Sequence, residues 1–356
     1  MRSDERKARG LIRRLLGRRF LFQLALTGVF VGILVWRVNL GRVFHTFAHV
    51  HYVWVLPALA CFTISKLIHA YRWQLLLSDQ ESAPLDGLFG IYLVSNMANN
   101  AVPFRIGDVV RIQVPAQRWG ISRAELTGTV EVTETVLDGF TFLVLTLVVL
   151  AFLRVAILPT GLAIALAVLA SLAFLATIIV SRLPLPRNLA DKPWLGMFTE
   201  GTRQAIGRAV PEFFEGLGAM SDFRRTVRVI AVSFPAWLAE SVMYFFFGLA
   251  FGIDIGFDKF VVIMITANIV VAFPLTPWNL GTYEIALQTV MVALGVNGTL
   301  AAGYVIGTHV FTIVWITLTG LVAMWFLKLD LRDVLSLSGR RDEGEGAPPQ
   351  RVRWRE

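Results

Sequence analysis

The sequence predicts an all-α polytopic membrane protein, with six full crossings plus two re-entrant helical hairpins arranged as inverted repeats. Three observations predict it. Hydrophobic residues make up 56% of the chain and charged residues only 16%, too little polar surface for a water-soluble protein of this length. Six apolar runs approach or exceed the roughly 20 helical residues that cross a bilayer core. Two further runs each break at a Pro-x-x-x-Gly corner, Pro103 to Gly107 and Pro277 to Gly281, and both corner residues recur at an offset of 174.

The elements follow in order. Residues 1–19 are basic, and the first apolar run, 20–36, ends in LVWRVN without a small-x-small cleavage site. A retained signal-anchor is expected there rather than a removed signal peptide. Repeat 1 covers 52–150: a crossing at 52–77, a hairpin at 85–120 broken by the first corner, and a crossing at 124–150. A linking crossing, 157–181, leads into the loop 182–226, within which Thr199 to Met220 has the mixed polarity of a helix lying on the membrane surface. Repeat 2 covers 227–327: a crossing at 227–251, a hairpin at 257–296 broken by the second corner, and a crossing at 300–327. The tail 328–356 is charged and rich in Gly and Pro, a composition expected to be disordered.

Charge orients these segments. The net charge is +8, but the basic residues are spread over the N-terminus, the loop 182–226 and the tail, which suits a membrane surface rather than nucleic acid. Cytoplasmic segments carry that Lys/Arg bias, so both termini are expected in the cytoplasm of a multi-pass protein of the cell (cytoplasmic) membrane. The crossing at 52–77 then runs inward and its equivalent at 227–251 runs outward, which makes the two repeats inverted. Cys61 is the single cysteine, so no intramolecular disulfide and no Cys-based metal site is expected.

Candidate site residues are ionisable groups at depths where lipid does not favour them. Glu131, Glu134 and Asp138 are spaced i, i+3, i+7, which places three carboxylates on one helix face. An unpaired charge near the bilayer centre costs about 3 kcal/mol or more, so that face has to meet cations or water. Arg105 and Arg111 of the first hairpin supply cations, as do Lys66, His69 and Arg72, which share a face at i, i+3, i+6. Arg72 is near enough to the inner interface to snorkel. In one reading the arginines take an anionic headgroup through bidentate hydrogen bonds while the carboxylates take an amine or shuttle protons. In the other, the charges only cancel and hold the hairpin in place. Asp108 is placed to cap the helix after Gly107. Glu240 and Glu284 are lone carboxylates in apolar surroundings, with His309 and Tyr283 as local partners.

At these residues the chain resembles the lysylphosphatidylglycerol synthase transmembrane region, a flippase-like family that includes the lipid-flipping half of the bacterial multiple peptide resistance factor. Three segments carry the resemblance: NNAVPFRIGDVVRI, TVEVTETVLDGF and PLTPWNLGTYE. In the first, the family pattern falls on Pro103, Arg105, Gly107, Asp108 and Arg111, with Asp where Glu is usual. In the second it falls on Glu134 and Asp138, with Thr135 where an arginine is usual. In the third it falls on Pro277, Gly281 and Glu284, with Trp278 and Asn279 in place of two glycines. The candidate substrate-binding residues are therefore Arg105, Gly107, Asp108, Arg111, Lys66, His69, Glu131, Glu134, Asp138, Pro277, Gly281 and Glu284.

The resemblance implies movement of an anionic phospholipid or a polyprenyl-phosphate-linked lipid between leaflets. It makes the chain a transporter rather than an enzyme, with a membrane lipid as substrate, lipid-synthesis enzymes as candidate partners, and neither cofactor nor metal. No G-x-x-x-x-G-K-[ST] phosphate loop occurs, so the expected drive is a lipid gradient, the membrane potential or protons. The loop 182–226 and the tail are short for an aminoacyl-transfer domain, so this chain by itself is not expected to attach lysine to lipid. Two other readings differ in class: a membrane transferase holding Mg2+ on Glu131, Glu134 and Asp138, and a scaffold for lipid-synthesis enzymes that transports nothing.

Overall fold

The computed structural model describes residues 40–77, 83–101, 106–130, 135–153, 222–272 and 275–330, with single positions between 25 and 33 and between 168 and 210. The expected crossings at 20–36 and 157–181, the loop 182–226 and the tail fall wholly or mostly outside the described residues. The described residues contain helices and no strand.

In chain order the helices are α1 (Leu40–Phe47), α2 (Val55–Leu76), α3 (Leu85–Ala101), α4 (Ile106–Trp119), α5 (Arg123–Thr127) and α6 (Thr135–Leu153). They continue with α7 (Phe223–Ala250), α8 (Phe257–Ala272), α9 (Thr282–Ala293) and α10 (Gly298–Phe326), with a 3-10 turn at Pro277–Asn279 between α8 and α9. Among the described residues, three stretches are long and apolar enough to span a bilayer: Tyr52–Leu76, Phe223–Ala250 and Gly298–Phe326. This is a membrane protein. On α10 the exposed Val310, Val314, Leu318, Leu321 and Trp325 recur every three or four residues, a stripe that lipid covers.

The expected single helix over 124–150 is interrupted. Ser122 caps α5 through its hydroxyl, which accepts from the Glu125 N–H at 3.3 Å. The backbone then widens into a π-turn over 128–130, and the helix is described again from Thr135. Apolar periodicity reads through such a turn because the side chains on both sides remain hydrophobic.

The described residues form two compact units. One holds those of Met1–Phe62, Leu93–Gly107 and Glu240–Glu356. In it α8 packs on α9, α9 on α10 and α10 on α1. Gly303 and Gly307 of α10 leave room for Thr46 and Phe47 of α1, and Gly307 also for Phe251. The start of α2 meets the end of α7, where the His51 N–H donates to the Ala250 carbonyl at 2.8 Å and the rings of Trp54 and Phe246 stack. At Gly107 the backbone comes against the Ser95 carbonyl and the Asn99 amide, a gap that a Cβ would fill. The Gly107 N–H donates to Asn99 Oδ1 at 2.7 Å.

The other unit holds the described residues of Thr63–Tyr92 and Asp108–Ala239. Leu75 and Leu76 of α2 cluster with Leu137 of α6 and Val229 of α7. Arg225 closes the end of α2, its guanidinium donating to the Leu75 carbonyl at 2.6 Å and to that of Leu77. A cation there meets the negative end of the helix dipole and supplies donors that helix carbonyls otherwise lack. Gly87 of α3 faces the Trp119 ring at the end of α4.

Candidate functional site

In the second of these units α2 delivers three basic side chains to one interior face. Lys66, His69 and Arg72 are all buried, Arg72 completely. Of the two roles the sequence leaves open to Arg72, snorkelling and meeting the acidic face, it takes the second. Its guanidinium pairs with Asp138 of α6 and donates to the Ser233 hydroxyl of α7 at 3.1 Å. Enclosure by protein, with a carboxylate for a partner, replaces the water that a snorkelling arginine would reach.

Arg111 lies on α4 between two rings. Its guanidinium carbon is 4.6 Å from the centroid of Trp73 and 4.7 Å from that of Tyr92. Cation–π contact with both rings restrains it. A guanidinium carries the flat N–H fork that matches two phosphate oxygens. His69 continues the array, its ring parallel to Tyr92 at 5.9 Å and edge-on to Trp237 at 4.6 Å. Neither ring nitrogen of His69 has a hydrogen-bond partner among the described residues. Arg72, Lys66 and Arg111 all lie within electrostatic reach of that ring.

Of the predicted residues, this unit therefore assembles Lys66, His69, Arg111 and Asp138, together with Arg72. Asp108 is buried in the first turn of α4. Arg105, Glu131 and Glu134 lie outside the described residues, and so does Pro103. The aromatic clamp of Trp73 and Tyr92 was not anticipated. One sign was available: Trp73 stands four residues after His69, on the same face of α2.

The other predicted residues belong to the first unit. Gly107 makes the close approach described above. Pro277 and Gly281 bracket a corner whose backbone enters the left-handed region three times, at Trp278 (φ 51), Asn279 (φ 53) and Gly281 (φ 83). Side chains hold it. The Thr276 hydroxyl donates to the Leu280 carbonyl and the Thr282 hydroxyl to the Asn279 carbonyl, each at 2.9 Å. Glu284 is in the first turn of α9, where Oε2 accepts the Gly281 N–H at 2.6 Å and Oε1 meets His309 Nδ1 at 2.5 Å. Of the local partners expected for Glu284, His309 is the one it meets, while the Tyr283 ring lies on that of His309 at 4.2 Å. Glu240 accepts from the Asn268 amide at 2.7 Å.

With this geometry in view, similarity to known proteins becomes informative. Residues 20–320 match the family described as lysylphosphatidylglycerol synthase TM region. The chain belongs to that family. A UPF0104 membrane protein from Methanothermobacter thermautotrophicus is 23% identical over 144 residues, which is 40% of this chain and 40% of that relative. No solved structure matches. The family's membership points to a membrane role connected with lipid.

Proposed function

We propose that this protein carries an anionic phospholipid or a polyprenyl-phosphate-linked lipid between the leaflets of the cytoplasmic membrane, acting as a transporter rather than an enzyme. The observation that carries the reading is the clamped Arg111 beside Lys66, His69 and Arg72, a buried basic cluster inside a helical unit. Charge at such depth is expensive to retain and marks substrate or ion pathways. Apolar packing would serve a purely structural purpose as well or better. In this reading Arg105 and Arg111 hold the phosphate, and the carboxylates of Glu131, Glu134 and Asp138 pair with neighbouring cations or pass protons.

The proposed architecture is six crossings and two re-entrant hairpins in inverted repeats, with both termini cytoplasmic. Helix ends support it: α2 ends at Leu76 and α7 at Ala250, while α4 ends at Trp119 and α9 at Ala293, and both pairs keep the 174-residue offset of the corners. Broken helices at matching places are how inverted-repeat transporters build a midplane site.

Reconstitution tests it. Charge reversal of Arg105 or Arg111 is expected to abolish transfer of fluorescent phospholipid or polyprenyl phosphate in proteoliposomes while the protein still elutes as a folded species. Glu134→Gln and Asp138→Asn are expected to change its rate or pH dependence. Unchanged transfer of both lipids in all four variants rejects the assignment, and mass spectrometry of copurifying lipid identifies the headgroup.

A further inference from the structure

Glu284 and His309 take no part in the basic cluster around Arg111. Both are buried, and their side chains meet across two helices, α9 and α10. The two carboxylate oxygens have separate tasks, one facing His309 Nδ1 and the other the Gly281 N–H of the corner. Whatever happens to the charge on this carboxylate is therefore felt directly by the corner. That corner is strained, because Trp278 and Asn279 hold positive φ without being glycine. Strain of this kind persists only where the surroundings over-determine it, and it gathers at sites that move.

We propose that Glu284 and His309 form a proton-binding site that couples proton uptake to the geometry of the corner, so that this chain moves its lipid in exchange with, or together with, protons. The inference rests on the transporter reading and adds the coupling ion. With the pair ionised, the His309 Nδ1–H donates to a Glu284 carboxylate that also accepts the Gly281 N–H. Uptake of one proton from a hydronium ion breaks one O–H bond there, leaves a water molecule, forms one O–H bond on the carboxylate and removes the negative charge at which both donors point. Release of that proton restores it. No other bond forms or breaks, and imidazole is the side chain suited to share a proton at physiological pH.

The surroundings suit a proton better than a metal cation. Tyr283 covers the His309 ring, and its hydroxyl lies 3.2 Å from that of Tyr244. Tyr304 of α10 donates to the Tyr244 carbonyl at 2.8 Å. Glu240 stands one turn before Tyr244 on α7, bonded to Asn268 of α8. On the remaining flanks of α10, α1 presents Thr46 and Phe47 and α3 presents Met97, none of them charged. Among the described residues, the titratable groups these contacts bring to the pair are three tyrosines and one further carboxylate. Hydroxyl groups that both donate and accept make a path along which a proton can be relayed.

Glu284→Gln tests the site cleanly, because the amide keeps an oxygen to accept the Gly281 N–H yet takes up no proton. Infrared difference spectra of the purified full-length protein between about pH 8 and about pH 5 are expected to show a carboxylic-acid band. It should be lost in E284Q, retained in E240Q, and moved in frequency in H309Q, where the hydrogen bond from the imidazole to the carboxyl group is altered. A band unchanged in E284Q overturns the proton site. In vesicles of phosphatidylcholine and phosphatidylglycerol carrying a fluorescent phosphatidylglycerol, an imposed pH gradient is expected to accelerate wild-type transfer several-fold. The ratio of rates with and without the gradient should fall to one in E284Q and H309Q. Wild-type transfer indifferent to the gradient overturns the coupling and leaves the transporter standing. No wild-type transfer of any lipid, with the infrared band still lost in E284Q, overturns the transporter and the coupling together and leaves only a proton site.

Discussion

Replacing Trp278 measures the strain at the second corner. At φ 51 an L-residue suffers the clash between Cβ and the following carbonyl, about 1–2 kcal/mol. Glycine escapes it but gives up about 0.5–1 kcal/mol of unfolded-state entropy relative to alanine. The two effects leave glycine ahead of alanine by about 1 kcal/mol, whereas in regular helix or strand the order is the reverse. Trp278 is 44% exposed, so some packing is lost on truncation, but Trp278→Ala and Trp278→Gly lose the same ring and the loss cancels between them. Equilibrium unfolding of both variants in mixed detergent micelles is the assay. The expected outcome is W278G more stable than W278A by about 1 kcal/mol, roughly a fivefold difference in the unfolding constant. Alanine equal to or better than glycine would refute a left-handed backbone at this position.

Three further outcomes follow from contacts already described. Asp138→Asn strips the ionic partner from the buried Arg72, at an expected cost of about 3 kcal/mol, and Arg72→Met with Asp138→Asn should cost less than the sum of the singles; a loss near the 0.6 kcal/mol average of polar contacts between membrane helices would show that the pair contributes nothing special. Asn297→Ala removes the oxygen that accepts the Thr299 and Leu300 N–H groups at the start of α10, and thermal melting should register about 1 kcal/mol. Trp73→Leu exposes one face of Arg111 and should weaken binding of a phosphate headgroup, read by lipid copurification, while overall stability falls by about 0.5–2 kcal/mol.

Much of this was legible in the sequence, for physical reasons that can be located. Hydrophobic length fixes a spanning helix almost regardless of context, which is why the crossing expected at 52–77 is found as Tyr52–Leu76. Proline and glycine at fixed spacing mark a break just as firmly, hence the corner at Pro277–Asn279. The sequence also carried a sign of the left-handed backbone, since Trp278 and Asn279 occupy positions where the resembling family has glycines. Spacing does not reveal who pairs with whom. Arg72, which the sequence offers both as a cation for the acidic face and as a residue able to snorkel, faces Asp138, because a side chain's fate in a membrane depends on whether protein or headgroups lie beside it.

The same limit explains the helix expected over 124–150. Helical periodicity specifies a face and leaves the phase open to adjustment by a single inserted residue, which is what a π-turn supplies. The turn at 128–130 changes the angle at which everything after it projects, and Asp138 reaches Arg72 from the far side of that turn. Glu131 and Glu134 lie outside the described residues, so of the acidic stripe it is Asp138 whose partner is seen, Arg72. Asp138→Asn should therefore lower stability through Arg72 as well as alter transport, whereas Glu134→Gln is expected to act on transport.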